Sequence, residues 1–258
     1  MSLQGLFGIV DYILYLVQST NRHGVHSPFV YHFTDAVLYD KSPCLFEPAA
    51  ELCRKRMIQS KRRISLDGQE LSLSKIALNH ILSAKYNRLL FRWIQDQQLG
   101  NYIVEIGSSL GVSPLYLQRG NVGIPRYFLF DKHKSQLKIS EFNLQEYGCQ
   151  ESIQMFHYQE VDEIIVQLER QPDAPIDLFI INQLLSAESF WKLVDWVIPR
   201  LGDKGCIVVT TMRHSTDQQL LWQQLQNQPE ITVAIDLFAM GMAFARSSQV
   251  KENFLLRY

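Results

Sequence analysis

The chain has 258 residues, with 25 Lys plus Arg against 26 Asp plus Glu and a formal net charge of -1. Hydrophobic residues make up 47% and charged residues 20%, which excludes a disordered or collagen-like chain. A chain of this length buries about 70–75% of its unfolded surface, so it needs no disulfide or metal staple.

The N-terminus opens on an apolar run. Leu3, Leu6, Phe7, Val10, Ile13, Leu14 and Val17 repeat at the spacing of one helix face. Asp11 interrupts the run, and it is shorter than the roughly 20 residues of a membrane span. Basic residues before it and a small-residue cleavage site after it are both missing, so no secretory leader is read. The four cysteines, Cys44, Cys53, Cys149 and Cys206, form no CxxC pair. A cytoplasmic protein is expected. The apolar helix face is expected to pack on the main domain or on a second subunit, so a homodimer is possible.

Ser27 followed by Pro28 predicts a helix start, by N-cap and N1 preference. Glu47 to Arg63 predicts a third helix, and Ser72 to Arg92 one or two more, broken near Ser83 and Ala84. Residues 1–84 thus read as a helical N-terminal extension and 85–258 as the main domain. Charge divides similarly, at +4 over residues 1–100 and -5 over the remainder. Arg54 to Arg63 holds six basic residues in ten with no acid. It lacks interleaved aromatics, and the sequence pI of about 6.7 lies far below that of nucleic-acid-binding domains. A solvated helix face is the expectation, with nucleic acid not expected as a partner.

After Gly100 short β-rich runs alternate with helical ones. Strands are predicted at Tyr102–Ile106, Tyr127–Phe130, Ile153–His157, Asp177–Ile181, Cys206–Thr211, Thr232–Phe238 and Met242–Arg246. Helices are predicted between the first six, at Val112–Gln118, Lys134–Tyr147, Val161–Arg170, Ala187–Leu201 and Ser215–Asn227. Such alternation argues for an α/β fold with a parallel sheet covered on both faces. The last two strands are too close in sequence for a crossover, so one must run antiparallel. Trp93, Trp191, Trp196 and Trp222 are expected in the core.

The segment richest in chemistry runs from Tyr102 to Ser113. A strand ends on Glu105, then Gly107, Ser108, Ser109 and Gly111 form a loop that opens a helix. The spacing matches neither GxxxxGK[ST] nor GxGxxG. A carboxylate two residues before Gly107 repels phosphate and suits a ligand with an ammonium or sulfonium. Asp131, at the next strand end, can accept hydrogen bonds from ribose hydroxyls. An adenosyl ligand with a cationic tail fits, and S-adenosylmethionine carries both charges without a phosphate.

These segments resemble the class I S-adenosylmethionine-dependent methyltransferases. Residues 104–113 are similar to that family's first motif in a branch reading ELGTSLG. Ile176 to Asn182 resembles the fourth-strand motif, and Ile235 to Phe244 the terminal hairpin. Arg22 to Val30 resembles the opening of an uncharacterised bacterial branch related to the catechol O-methyltransferase type. The resemblance implies a Rossmann-like, seven-stranded, mostly parallel sheet with a reversed last strand and an N-terminal extension over the cofactor cleft. It also implies methyl transfer to a small-molecule oxygen or nitrogen acceptor. The metal-binding acids of the catechol type are replaced here by Asn182, Thr210 and Thr211. No catalytic metal is therefore expected. Loss of those acids also leaves open a scaffold that binds cofactor without catalysis. An NAD-dependent oxidoreductase is the weaker third reading, and Glu105 argues against it.

Near the cleft, His157 and His214 are candidate bases, although a solvated loop histidine is the blander reading of His214. Arg213 stays protonated and could only orient or neutralise an anion. His23 and His26 lie three apart around Gly24 without further ligands, so a structural role is expected.

Overall fold

A computed structural model describes residues 3–21, 24–44, 46–66, 68–99, 102–120 and 126–258, without the side chains of 3–8 and 118–120. The N-terminal extension comprises α1 (Leu3–Gln18), α2 (Pro28–His32) running into a π-helical turn at Phe33–Leu38, and α3 (Glu47–Ile58). A two-stranded hairpin follows, β1 (Arg63–Leu66) and β2 (Gln69–Ser72), then α4 (Leu73–His80) and α5 (Ala84–Gln97). The main unit continues with β3 (Tyr102–Ile106), α6 (Val112–Gly120), β4 (Arg126–Asp131), α7 (Lys134–Glu146) and β5 (Ile153–His157). Next come α8 (Val161–Glu169), β6 (Ile176–Ile181), α9 (Ala187–Val197), β7 (Leu201–Val209) and α10 (Thr216–Asn227). The chain closes with β8 (Val233–Asp236), β9 (Gly241–Phe244) and β10 (Glu252–Leu255).

Among the described residues the main sheet has eight strands, in the order β10-β8-β9-β7-β6-β3-β4-β5. All run parallel except β9, which is antiparallel to both β7 and β8. The seven-stranded expectation with a reversed last strand holds for β3 to β9. It is corrected at the edge, where the polar, half-exposed β10 adds an eighth strand beside β8. The order reverses beside β3: β4 and β5 lie on one side, and β6 and the later strands on the other. Open α/β sheets place their ligand crevice at such a switch point, at the carboxyl ends of the strands.

The sheet divides two cores by residue parity, as a strand alternates its faces. Ile103, Tyr127, Leu129, Leu178 and Val208 join a core that takes in the extension's Phe29, Val30, Phe33 and Val37. Val104, Phe128, Phe179 and Val209 join the opposite core with residues of α8, α9 and α10. The extension therefore shares one continuous core with the sheet. Trp93 is its keystone, fully buried and in ring contact with Phe29, Phe33 and Phe244. Trp93→Ala is expected to cost about 3–5 kcal/mol in denaturant unfolding, by loss of transfer energy plus a cavity.

The extension also departs from an all-helical reading. Arg63–Leu66 and Gln69–Ser72 form a hairpin whose register pairs Leu66 with Gln69, and the sequence between them is Asp67-Gly68. That dipeptide is a hairpin signal, and Ile64 and Leu66 alternate inward. Helix α3 accordingly ends at Ile58 rather than Arg63. Ser27 precedes α2 as expected, but its hydroxyl bonds Gln249 Oε1 at 3.3 Å instead of capping the helix. Helix α9 ends at Val197, because Pro199 and Gly202 lead into a longer β7. Thr210 and Thr211 lie just past that strand, not within it.

Helix α1 is tied to the opposite end of the chain. Tyr15 donates its hydroxyl to the Leu256 carbonyl at 2.5 Å, and Thr20 pairs with Leu256 as a parallel bridge. Tyr12 and Tyr15 pack on Phe238, whereas Ile13, Leu14 and Val17 face outward. Of the two expected packings, the main domain takes the face through Tyr12 and Tyr15. Among the described residues no helix is long and apolar enough to cross a membrane. Trp222 is buried like Trp93, while Trp191 and Trp196 are only half-buried. The basic segment is partly spent on partners: Arg54 pairs with Glu51, Arg56 with Glu146, and Arg63 bonds the Glu70 carbonyl. His23 lies outside the described residues, and His26 is exposed.

Candidate active site

The loop after β3 has an unusual backbone. Gly107 has φ +93, and Ser109, Leu110 and Gly111 follow at +49, +50 and +84. A Cβ on Gly107 would stand 2.8 Å from the backbone carbon and oxygen of Asn182, so only glycine lets β3 and β6 meet here. Gly111 is not on the cleft lining; a Cβ there would stand 3.0 Å from the Ser140 carbonyl oxygen of α7. Between these glycines Leu110 turns outward from the sheet. It enters a small core with Leu73, Ile76 and Ala77 of α4, Ile64 and Leu66 of β1, and Ile139 of α7. That packing seats α4 of the extension on the loop.

Asp131 ends β4 beside it. One carboxylate oxygen accepts the Ser108 amide at 2.9 Å and the Ser108 hydroxyl at 2.5 Å. The other accepts the His133 amide at 2.8 Å. Asp131 thus fixes the loop while lining the open cleft, and Oδ1, with a single donor, retains a further accepting site.

Glu105 takes a different place from the one expected. It shares a sheet face with Asp131, since it pairs in register with Leu129, two residues before Asp131. Yet it is fully buried behind the loop and is not on the cleft wall. Its carboxyl accepts the Tyr127 hydroxyl on one oxygen and the Ser109 hydroxyl, at 3.0 Å, on the other. Burial pushes its pKa up to about 7, against the opposing pull of those two donors. The idea that Glu105 meets a ligand's cationic tail directly is therefore corrected. A buried carboxyl with each oxygen holding a hydroxyl donor orders the loop from behind.

From Glu105 a hydrogen-bond chain crosses the crevice. Ser109 Oγ accepts from Asn182 Nδ2, and Asn182 Oδ1 accepts the Thr210 hydroxyl at 2.5 Å. Asn182 Nδ2 also donates to the His80 carbonyl at 3.1 Å, tying α4 to β6. Thr211 turns to Gln218 of α10, at 3.4 Å. Asn182 and Thr210 therefore spend their polar atoms on each other and on the loop. This donor set carries no negative charge and does not fit a hard divalent cation. Among the described residues no group of three or more His, Cys, Asp or Glu could hold a metal ion.

The cleft itself has a volume of about 260 Å³. Its walls include Gly107, Ser108, Ser109, Asp131, Asn182 and His80. Four of the six expected site residues thus line it, Glu105 backs it, and Gly111 supports the loop on α7. His80 was not legible in the sequence, because it ends a short helix far upstream of the loop. Only the packing of Leu110 under α4 brings it over the crevice. Burial lowers its pKa, Asp131 opposes that, and His214 and His133 reinforce it, so the imidazole is neutral at pH 7.

The other candidates separate. His214 is exposed, with Nδ1 3.2 Å from the Thr211 carbonyl, and lies outside the cleft lining. His157 lies at the end of β5 and lines neighbouring grooves instead. Arg213 pairs with Asp236 at 2.8 Å and donates to the Phe238 carbonyl, so it braces the turn between β8 and β9.

No protein-family model and no curated protein matches the chain. Solved structures do. An O-methyltransferase from Bacillus cereus, in complex with S-adenosylhomocysteine, superposes with a TM-score of 0.60 at 15% identity, over 84% of this chain and 97% of that one. An O-methyltransferase from Streptomyces achromogenes involved in tomaymycin synthesis, in complex with S-adenosylmethionine, gives 0.55 at 16% identity, over 80% and 100%. This chain has the class I methyltransferase fold. A methyltransferase from Geobacter sulfurreducens agrees, at a TM-score of 0.55 and 11% identity over 85% and 98%. Nearly all of the length of those chains is matched, and in this chain the crevice lies at the switch point bordered by β3, β4 and β6.

Proposed function

We propose that the chain is an S-adenosylmethionine-dependent methyltransferase that acts on a small-molecule hydroxyl without a metal ion. One observation carries the reading: a bare glycine backbone and a strand-end aspartate face one crevice at the switch point of a methyltransferase fold. Asp131 would accept a ribose hydroxyl on Oδ1, and Gly107 to Ser109 would border the amino-acid tail. The bound cofactor supplies a methyl group already activated on a sulfonium. The chain's own task is then to orient the acceptor, exclude water and accept one proton. Holding reactants in near-attack geometry is worth up to about 7–11 kcal/mol in favourable cases.

Metal independence rests on Asn182 and Thr210, which are neutral and bonded to each other. The Glu105-to-Thr210 chain would hold the acceptor side of the crevice rigid in place of an ion.

Titration calorimetry with S-adenosylhomocysteine tests the cofactor. Saturable binding is expected, and Asp131→Ala should weaken it up to about 100-fold, the loss of one charge-assisted hydrogen bond. No heat at high micromolar ligand sinks the reading. Turnover of radiolabelled S-adenosylmethionine against a panel of phenols and alcohols should be unchanged by EDTA. Binding without transfer to any member would favour the scaffold reading instead.

A further inference from the structure

We propose that His80, carried by the N-terminal extension, is the catalytic base that takes the proton from the acceptor hydroxyl. The inference rests on the methyltransferase reading and goes beyond it, by assigning the proton's destination to a residue outside the sheet unit. His80 lines the same crevice as Gly107, Asp131 and Asn182. Its position is held from two directions. Its own carbonyl accepts from Asn182 at 3.1 Å, and its helix packs through Leu73, Ile76 and Ala77 on Leu110 of the glycine loop. Asn182, Ser108 and Ser109 offer the crevice an amide and hydroxyls that take no proton at neutral pH, whereas a neutral imidazole does. Asp131 is committed to holding the loop. His133 is a second imidazole on the lining, but it stands outside a helix, whereas His80 ends one docked on the glycine loop.

The charged and titratable groups facing His80 come from three other segments: Asp131 at the end of β4, His133 just after it, and His214 after β7. Lys132 and His133 line the crevice with it. Their mixed signs, together with burial, leave the imidazole unprotonated and ready to accept. The step balances. The acceptor O–H proton moves to an imidazole nitrogen, and the acceptor oxygen forms a bond to the methyl carbon. The carbon–sulfur bond breaks with its electron pair going to sulfur, which leaves as a neutral thioether. The positive charge that begins on sulfur ends on His80.

A base for the acceptor hydroxyl would stand beside the sulfonium, which is testable without knowing the acceptor. The imidazole of His80 is followed by NMR in protein labelled with ¹⁵N-histidine, assigned from the backbone and checked with His80→Gln. It is titrated in complexes with S-adenosylmethionine and with S-adenosylhomocysteine, which differ in the methyl group and its positive charge. The midpoint should be lower with S-adenosylmethionine by about one pH unit, as a like charge beside a histidine requires. Equal midpoints with both ligands bound overturn the assignment and leave the methyltransferase reading standing. A midpoint above about 8 in both complexes also overturns it, because the residue would then be protonated at working pH. If neither ligand binds at millimolar concentration, the methyltransferase reading fails and His80 loses its role with it.

Discussion

Gly107→Ala is expected to abolish cofactor binding and to cost about 2–6 kcal/mol of stability, from backbone strain and overpacking together. The residue sits at φ +93, where L side chains rarely go. Its new methyl would lie 2.8 Å from both the carbon and the oxygen of the Asn182 backbone, and 3.0 Å from Gln183 Cβ. Those atoms belong to the chain leaving β6, which is anchored by the Asn182 amide donating to the Ile106 carbonyl at 2.8 Å. Backbone at the centre of a sheet cannot give way as a flexible side chain would. Relief would have to come from parting β3 and β6 at their ends, which is the floor of the crevice. Urea unfolding and S-adenosylhomocysteine titration measure the two losses. A variant that unfolds at the wild-type midpoint and still binds would show that the approach of the two strands is not tight.

Glu105→Gln is expected to stabilise the protein above pH 7 and to change little near pH 4. The folded carboxyl has its pKa raised from 4.5 to about 7 by burial. Raised in the folded state, it holds its proton more tightly there than in the unfolded chain. Its favourable contribution is complete below about pH 4.5 and is lost as pH rises through about 7. Wild type should therefore weaken over that window by up to about 3 kcal/mol, the order of magnitude for a displacement of this size. Glutamine has no such proton. It still offers an acceptor to Tyr127 or Ser109, and the other hydroxyl can reverse its role. The stability difference between variant and wild type should thus grow from pH 4.5 to 7 and then level off. A difference independent of pH would mean that Glu105 is solvated or paired with a cation, and that the chain of bonds through Ser109 is not the one described.

Much of this was legible from residues alone. Strand–helix alternation after Gly100 reports directly on a parallel sheet, because buried strands need continuous apolar runs and crossovers need amphipathic helices. Glu105, Gly107 and Asp131 stand out in the sequence because an acid or a glycine at the end of an apolar strand breaks its hydrophobic pattern. Two features were missed. The hairpin at 63–72 falls between the helices predicted at Glu47–Arg63 and Ser72–Arg92, a stretch given no element although Asp67-Gly68 is a local hairpin signal. Strand β10 went unseen because edge strands need only half a hydrophobic pattern, and Glu252 and Asn253 mask it.

The amino-acid sequence by itself determined the sheet, its reversal at β9 and the place of the crevice. These follow from local periodicity and from glycine and acid spacing within about thirty residues. Tertiary structure alone decided which polar groups face the crevice. Whether Glu105 points at a ligand or at Tyr127 depends on a neighbouring strand's register and on the bulk lying over it. Whether His80 reaches the site depends on Leu110 docking under a helix some thirty residues earlier in the chain. Such contacts join segments with no shared periodicity, so only the folded packing brings them together.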